Sequence, residues 1–165
     1  MLEIVRVVDG EPLARARELF LAYAEWTGID LSFQNFNEEA ASLPGDYAAP
    51  GGCLLLALYQ NKAAGCVAVR KFDGRFCEMK RLYVRPEFHG SGIGKRLAQE
   101  IIVEAKGLGY AKIRLDTLPK MASAQKLYFS LGFKEIAPYR FNPDPGTKFM
   151  ELDLRDFQIS TDLSS

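Results

Sequence analysis

The stretch CEMKRLYVRPEFHGSGIGKRLAQEIIVEAKGLG, residues 77–109, decides the fold. It predicts a strand, a glycine-rich turn and a helix. Residues 78–84 alternate imperfectly, and Pro86 ends the strand because it has no N–H for the ladder and a fixed φ. Gly90, Gly92 and Gly94 then let the backbone turn tightly and approach a ligand closely. From Ile93 onward, Leu97, Ile101, Ala105 and Leu108 keep near-helical spacing, while Lys95, Arg96, Glu100, Glu104 and Lys106 fill the other face. Gly107 and Gly109 are stop signals. A glycine turn feeding a helix N-terminus gathers unpaired N–H groups at the positive end of the helix dipole, which suits a phosphate or pyrophosphate. A tight strand–helix connection that binds nothing is the other reading of such a turn.

Two phosphate motifs are excluded. A P-loop has Gly five residues before its Gly-Lys pair and Ser or Thr after it, but Gly94-Lys95 has His89 and Arg96 in those places. The dinucleotide fingerprint Gly-x-Gly-x-x-Gly, counted from Gly90, ends on Lys95.

Around this stretch the chain reads as one domain over residues 1–157, with a polar tail, 158–165, expected to fray. Lys plus Arg and Asp plus Glu are 21 each, so no net charge points to nucleic acid or an anionic membrane. A local basic run, Lys80, Arg81, Arg85, Lys95 and Arg96, flanks the turn and suits either a solvated face or a phosphate-bearing ligand. Cys53, Cys66 and Cys77 have no CxxC spacing, which predicts buried thiols in a reducing compartment. With no signal peptide and no membrane-length apolar run, the expectation is a cytoplasmic protein.

In chain order, residues 3–8 predict a strand. Pro12 opens a helix carrying Leu13, Ala16, Phe20, Tyr23 and Ala24, closed by Gly28. Residues 33–43 predict a short second helix with Asn37 as N-cap and Pro44-Gly45 as stop, and 46–52 a loop. CLLLALY, residues 53–59, is a buried strand. Asn61-Lys62 is its hairpin turn into the strand 63–71, and Asp73-Gly74 turns that into 76–84. After the long helix, residues 112–117 alternate as a strand, 120–131 form a helix capped by Gly132, and two strands follow at 133–136 and 148–154. The order predicts an α+β fold with a single mixed, mostly antiparallel sheet flanked by helices on both faces.

Two motifs in this order resemble the GNAT superfamily of N-acetyltransferases. Leu82-Tyr83-Val84-Arg85-Pro86 leads into His89-Gly90-Ser91-Gly92-Ile93-Gly94, similar to that family's Arg/Gln-x-x-Gly-x-Gly/Ala signature, with His89 at its first position. Ala124-x-x-Leu127-Tyr128-x-x-Leu131-Gly132-Phe133 resembles its second segment, with Met121 where Asn is common. The resemblance spans nearly the whole chain. It implies acetyl-CoA as co-substrate, its pyrophosphate on the N–H groups of His89, Gly90, Ser91, Gly92, Ile93, Gly94 and Lys95. It places the pantetheine along the edge of Leu82, Tyr83 and Val84, where the strand splays from its neighbour at a bulge. The Val84 N–H is then the donor to the thioester carbonyl.

The same resemblance makes Tyr128 the acid for the departing thiolate, a phenol being protonated at neutral pH. A core aromatic is the plain alternative. Glu78 is the candidate base, directly or through water, its alternative being an outward residue paired with Lys80 or Arg81. His89, the one histidine, lies in the phosphate turn and suits binding rather than catalysis, and no clustered ligands mark a metal site. The leading expectation is direct transfer of acetyl to a primary amine of a small molecule or peptide. A covalent cysteine route lacks a paired histidine. Use of a longer acyl-CoA stays open, and the alternative class is a noncatalytic acyl-CoA-binding regulatory module. Acceptor-side positions follow from loop placement alone: Trp26, Phe33, Tyr47, Arg81, Tyr139 and Phe141. A homodimer through the last two strands is a further expectation.

Overall fold

A computed structural model describes residues 1–27 and 36–157. Its strands are β1 (Leu2–Arg6), β2 (Cys53–Tyr59), β3 (Lys62–Asp73), β4 (Phe76–Val84), β5 (Lys112–Thr117), β6 (Lys134–Ile136) and β7 (Lys148–Asp153). Its helices are α1 (Gly10–Thr27), α2 (Phe36–Ala41), α3 (Ile93–Gly107) and α4 (Ala122–Ser130). The strands form one sheet in the order β1-β2-β3-β4-β5-β7-β6. Every neighbouring pair is antiparallel except β4–β5, the pair joined by the α3 crossover.

Alternation along the strands splits the core in two. Leu55, Val67, Met79 and Ile113 meet Leu97, Ile101 and Ile102 of α3 and Tyr128 of α4 on one face. Leu54, Leu56, Cys66 and Ala68 meet Ala16, Leu19 and Phe20 of α1 and Phe36 and Ala40 of α2 on the other. Each fully buried Leu or Ile contributes roughly 1.5–3 kcal/mol of transfer free energy. The helices therefore cover both faces, as the element order predicts. The three cysteines are buried and free. Among the described residues no helix is long and apolar enough to cross a membrane.

Several local expectations shift. The β2–β3 turn is Gln60-Asn61, both with positive φ, because Lys62 already pairs with Tyr59. Asn37 lies inside α2 rather than capping it, and a single 3₁₀ turn, Gly45–Tyr47, stands where a loop is expected. Gly28, Phe33 and the tail 158–165 lie outside the described residues.

What positions the site is β4. Cys66 pairs with Tyr83 and Ala68 with Lys80, so Val67 alone faces both Arg81 and Leu82. This bulge explains the imperfect alternation read from the sequence. Arg81 adopts φ +62°, a conformation that costs a non-glycine residue roughly 1–3 kcal/mol unless its surroundings hold it. They do: its Nε and Nη2 bond both oxygens of Glu39 at 2.8 and 3.1 Å, and its guanidinium lies 4.8 Å over the Phe36 ring. Opposite the end of β4, Gly65 lets the strands close, since a Cβ there would sit 2.6 Å from the Tyr83 carbonyl oxygen. On its other side β4 pairs with β5 only from Phe76 to Glu78, and beyond that the two strands separate.

Candidate active site

The separation of β4 from β5 opens a groove of about 310 Å³ that continues over the glycine turn. One wall is Leu82, Tyr83 and Val84, and Gly90, Gly92 and Gly94 line the floor. Lys120, Met121, Ser123, Ala124 and Leu127 form the opposite wall. Arg85 N–H bonds the Ala64 carbonyl on β3 at 2.8 Å, so strand alternation turns the N–H and C=O of Val84 the other way, toward the split. The Val84 carbonyl accepts a 2.8 Å bond from His89 Nε2, which fixes the proton on that nitrogen. His89 thus braces the turn against the strand end.

Gly90 and Gly92 have φ of +83° and +84° and nothing within 4 Å of a Cβ placed on either, so the turn is open on its outer side. Gly92 is the N-cap of α3 and supplies no side-chain cap, leaving the first N–H groups of the helix available to an anion. Ser91 donates its hydroxyl to the Phe88 carbonyl, and Ser91 and Lys95 are exposed beside the turn. The residues present fit a pyrophosphate-bearing ligand.

Behind the groove, the sheet face toward α1 and α2 is charged. Glu78 is 0% exposed. Arg70 Nη2 and Arg140 Nη2 donate to its Oε1 at 3.2 and 2.9 Å, and Tyr139 Oη donates to Oε2 at 2.8 Å. Burial alone would raise its pKa, but Lys80, Arg140, Arg70 and the Tyr139 bond outweigh burial and hold it below the usual glutamate value. A carboxylate so paired is a weak proton acceptor. In this arrangement Glu78 anchors the two arginines.

Two residues further along β4, Lys80 is buried and its ammonium lies 4.0 Å from Asp116 Oδ1 on β5. Burial lowers the Lys80 pKa to about 8, with Asp116 opposing the shift. Asp116 Oδ2 is buried and finds no hydrogen-bond donor among the described residues. Such an oxygen is costly to leave unmatched, and it points to a cationic or donor ligand. Sequence reading passed over Asp116 although Lys112, Arg114 and Asp116 form the polar half of an alternating strand.

Tyr128 is buried, its ring 5.6 Å from that of Phe133. Burial pushes its phenol well above the usual value, and Tyr23 and Asp116 lie near enough to add to the shift. Tyr23 belongs to α1 on the opposite sheet face, so the split brings the two sides together. Tyr128 itself does not line the groove; Ala124 and Leu127 do. Of the acceptor-side positions, Trp26 lines the groove and Tyr139 holds Glu78. Tyr47 is core, Arg81 is paired with Glu39, and Phe141 is exposed. Lys120, absent from the sequence reading, bonds the carbonyls of Trp26 and Thr27 at 2.8 and 3.0 Å and ties the groove wall to the end of α1.

A sheet split at a bulged strand, with a glycine turn and helix start at its mouth, defines an acyl-CoA-type transferase architecture. Comparison with known proteins agrees. The model of the acetyltransferase (GNAT) family matches residues 13–133. An uncharacterized N-acetyltransferase of Schizosaccharomyces pombe is 45% identical over 134 residues, covering 80% of this chain and 82% of that protein. A GNAT-family acetyltransferase structure from Staphylococcus aureus superposes with a TM-score of 0.76 at 22% identity, covering 93% of this chain and 99% of that one. The PaiA N-acetyltransferase of Thermoplasma acidophilum, solved with coenzyme A, gives 0.73 at 21% identity over 93% and 99%. The chain belongs to the acetyltransferase (GNAT) family, and acyl transfer is the activity that membership carries.

Proposed function

We propose that the protein transfers an acetyl group from acetyl-CoA to a primary amine by direct attack. The observation that carries this reading is the groove in which the edge of β4, with the Val84 N–H turned away from β3, runs into the uncapped start of α3. Acetyl-CoA supplies the acetyl group as an activated thioester. The His89 N–H is given to the Pro86 carbonyl at 3.1 Å, so the N–H groups of residues 90–95 hold the pyrophosphate, and Leu82, Tyr83 and Val84 present the edge for its pantetheine. The Val84 N–H donates to the carbonyl where negative charge develops. Asp116 Oδ2 receives the acceptor's ammonium and takes its proton, with Lys80 fixing the other oxygen. As the new C–N bond forms and the C–S bond breaks, Tyr128 gives its proton to the departing thiolate, which leaves as the thiol, and the second proton shed by the attacking nitrogen as it becomes the amide restores the Tyr128 phenol.

A second reading, a noncatalytic acyl-CoA-binding module, draws on one observation: Tyr128 packs against Phe133 and does not line the groove. Thiol release from acetyl-CoA, followed across a panel of primary amines, separates the two. Amine-dependent release with recovery of the N-acetyl product supports the transferase. Tight acetyl-CoA binding with no transfer to any amine supports the module.

A further inference from the structure

We infer that the amine acceptor carries a carboxylate, and that Arg140 with Arg70 holds it, both guanidiniums being set from behind by Glu78. The inference rests on the transferase reading and names the acceptor class of that site. Glu78 has one negative charge and two guanidiniums, so the cluster keeps a net positive charge toward solvent. The side chains of Arg70 and Arg140 are 23% and 24% exposed while Glu78 is sealed. Arg140 spends Nη2 on Glu78, and its Nε and Nη1 have no partner among the described residues. Its guanidinium lies 5.3 and 5.7 Å over the Tyr139 and Phe72 rings, which pin it in place. A pinned guanidinium with free N–H groups on one side is a preformed fork for a carboxylate.

The other cations on this face are committed. Arg81 is paired with Glu39, Arg114 bonds Glu151 at 2.6 Å, and Lys80 faces Asp116. Negative groups also bear on the site. Glu38, Glu39 and Asp46 line a small cavity beside Arg70, and Asp46 lies 4.0 Å from Arg70 Nη1. They draw Arg70 partly away and leave Arg140 the larger share of the anion. Spacing sets the acceptor's size. Glu78 and Lys80 are two residues apart on one face of β4, roughly 7 Å. Glu78 holds Arg140 and Lys80 faces Asp116, so the two ligand-binding groups are carried by same-face neighbours of one strand, which favours a compact acceptor such as an amino acid.

The test uses the full chain saturated with coenzyme A and measures the melting-temperature shift given by L-amino acids, their primary amides and spermidine. Acids are expected to stabilise more than amides or spermidine, and Arg140→Gln is expected to abolish the difference, with Arg140→Lys recovering part of it. Amides or spermidine stabilising as well as the acids overturns the inference, whether or not transfer occurs. In the transfer assay with acetyl-CoA, kcat/KM for the acid is expected to exceed that for its amide about 10- to 100-fold, the scale of a lost charged hydrogen bond. In Arg140→Gln this ratio is expected to fall toward one. Transfer without acid preference overturns the inference and leaves the transferase standing. Acid-selective binding without transfer to any amine does the reverse.

Discussion

At the residue scale, burial keeps the Tyr128 phenol protonated at neutral pH and, by the same shift, makes it a weaker donor, so its acid role turns on a direct test. Tyr128→Phe removes the hydroxyl and keeps the ring against Phe133. The variant is expected to fold, to bind acetyl-CoA with near-native affinity, and to lose about 10²–10⁴-fold in kcat with little change in KM. Steady-state kinetics beside a calorimetric titration checks this, and an equally active Phe variant would make Tyr128 a core aromatic only. The motif around Tyr128 was legible in the sequence, but that Ala124 and Leu127 rather than Tyr128 line the groove was not. Glu78 shows the limit more sharply. Its partners Arg70, Tyr139 and Arg140 lie 8, 61 and 62 residues away, so the contacts that hold it have no local signature. Asp116 escaped notice because one unmatched oxygen is a property of packing, not of residue type.

At the scale of elements, the bulge in β4 is held open by a contact from α2. Glu39→Ala would remove the carboxylate that Arg81 bonds in a buried site and loosen the support of its strained φ of +62°. Removing one partner of such a pair costs about 3–5 kcal/mol, so urea unfolding of this variant is expected to show a loss of that order together with weaker acetyl-CoA binding. A variant as stable as the wild type would mean that the bulge is set by β3–β4 register alone. The elements themselves were largely readable. β2, β4 and α3 begin and end within a residue or two of the sequence-derived bounds, because continuous apolar runs, Pro86 and the glycines mark their edges. The second helix was overextended, since Leu43 is apolar and buried yet lies beyond the helix end. The bulge was foreshadowed by broken alternation, but its cause was invisible. Glu39 is 42 residues from Arg81.

At the scale of the molecule, the sheet divides two tasks. The glycine turn and α3 stand at one end of the split, and the charged face under α1 and α2 lies at the other. Acetyl-CoA is placed in the groove that runs from the edge of β4 over the glycine turn. Amide chemical shifts of the isotopically labelled full chain, followed by NMR during titration with acetyl-CoA, test this most directly. The largest changes are expected at residues 82–84 and 89–95, with a second set at 121–127 across the groove. Saturation with acetyl-CoA that leaves these amides unmoved, or moves a different part of the sheet, would contradict it.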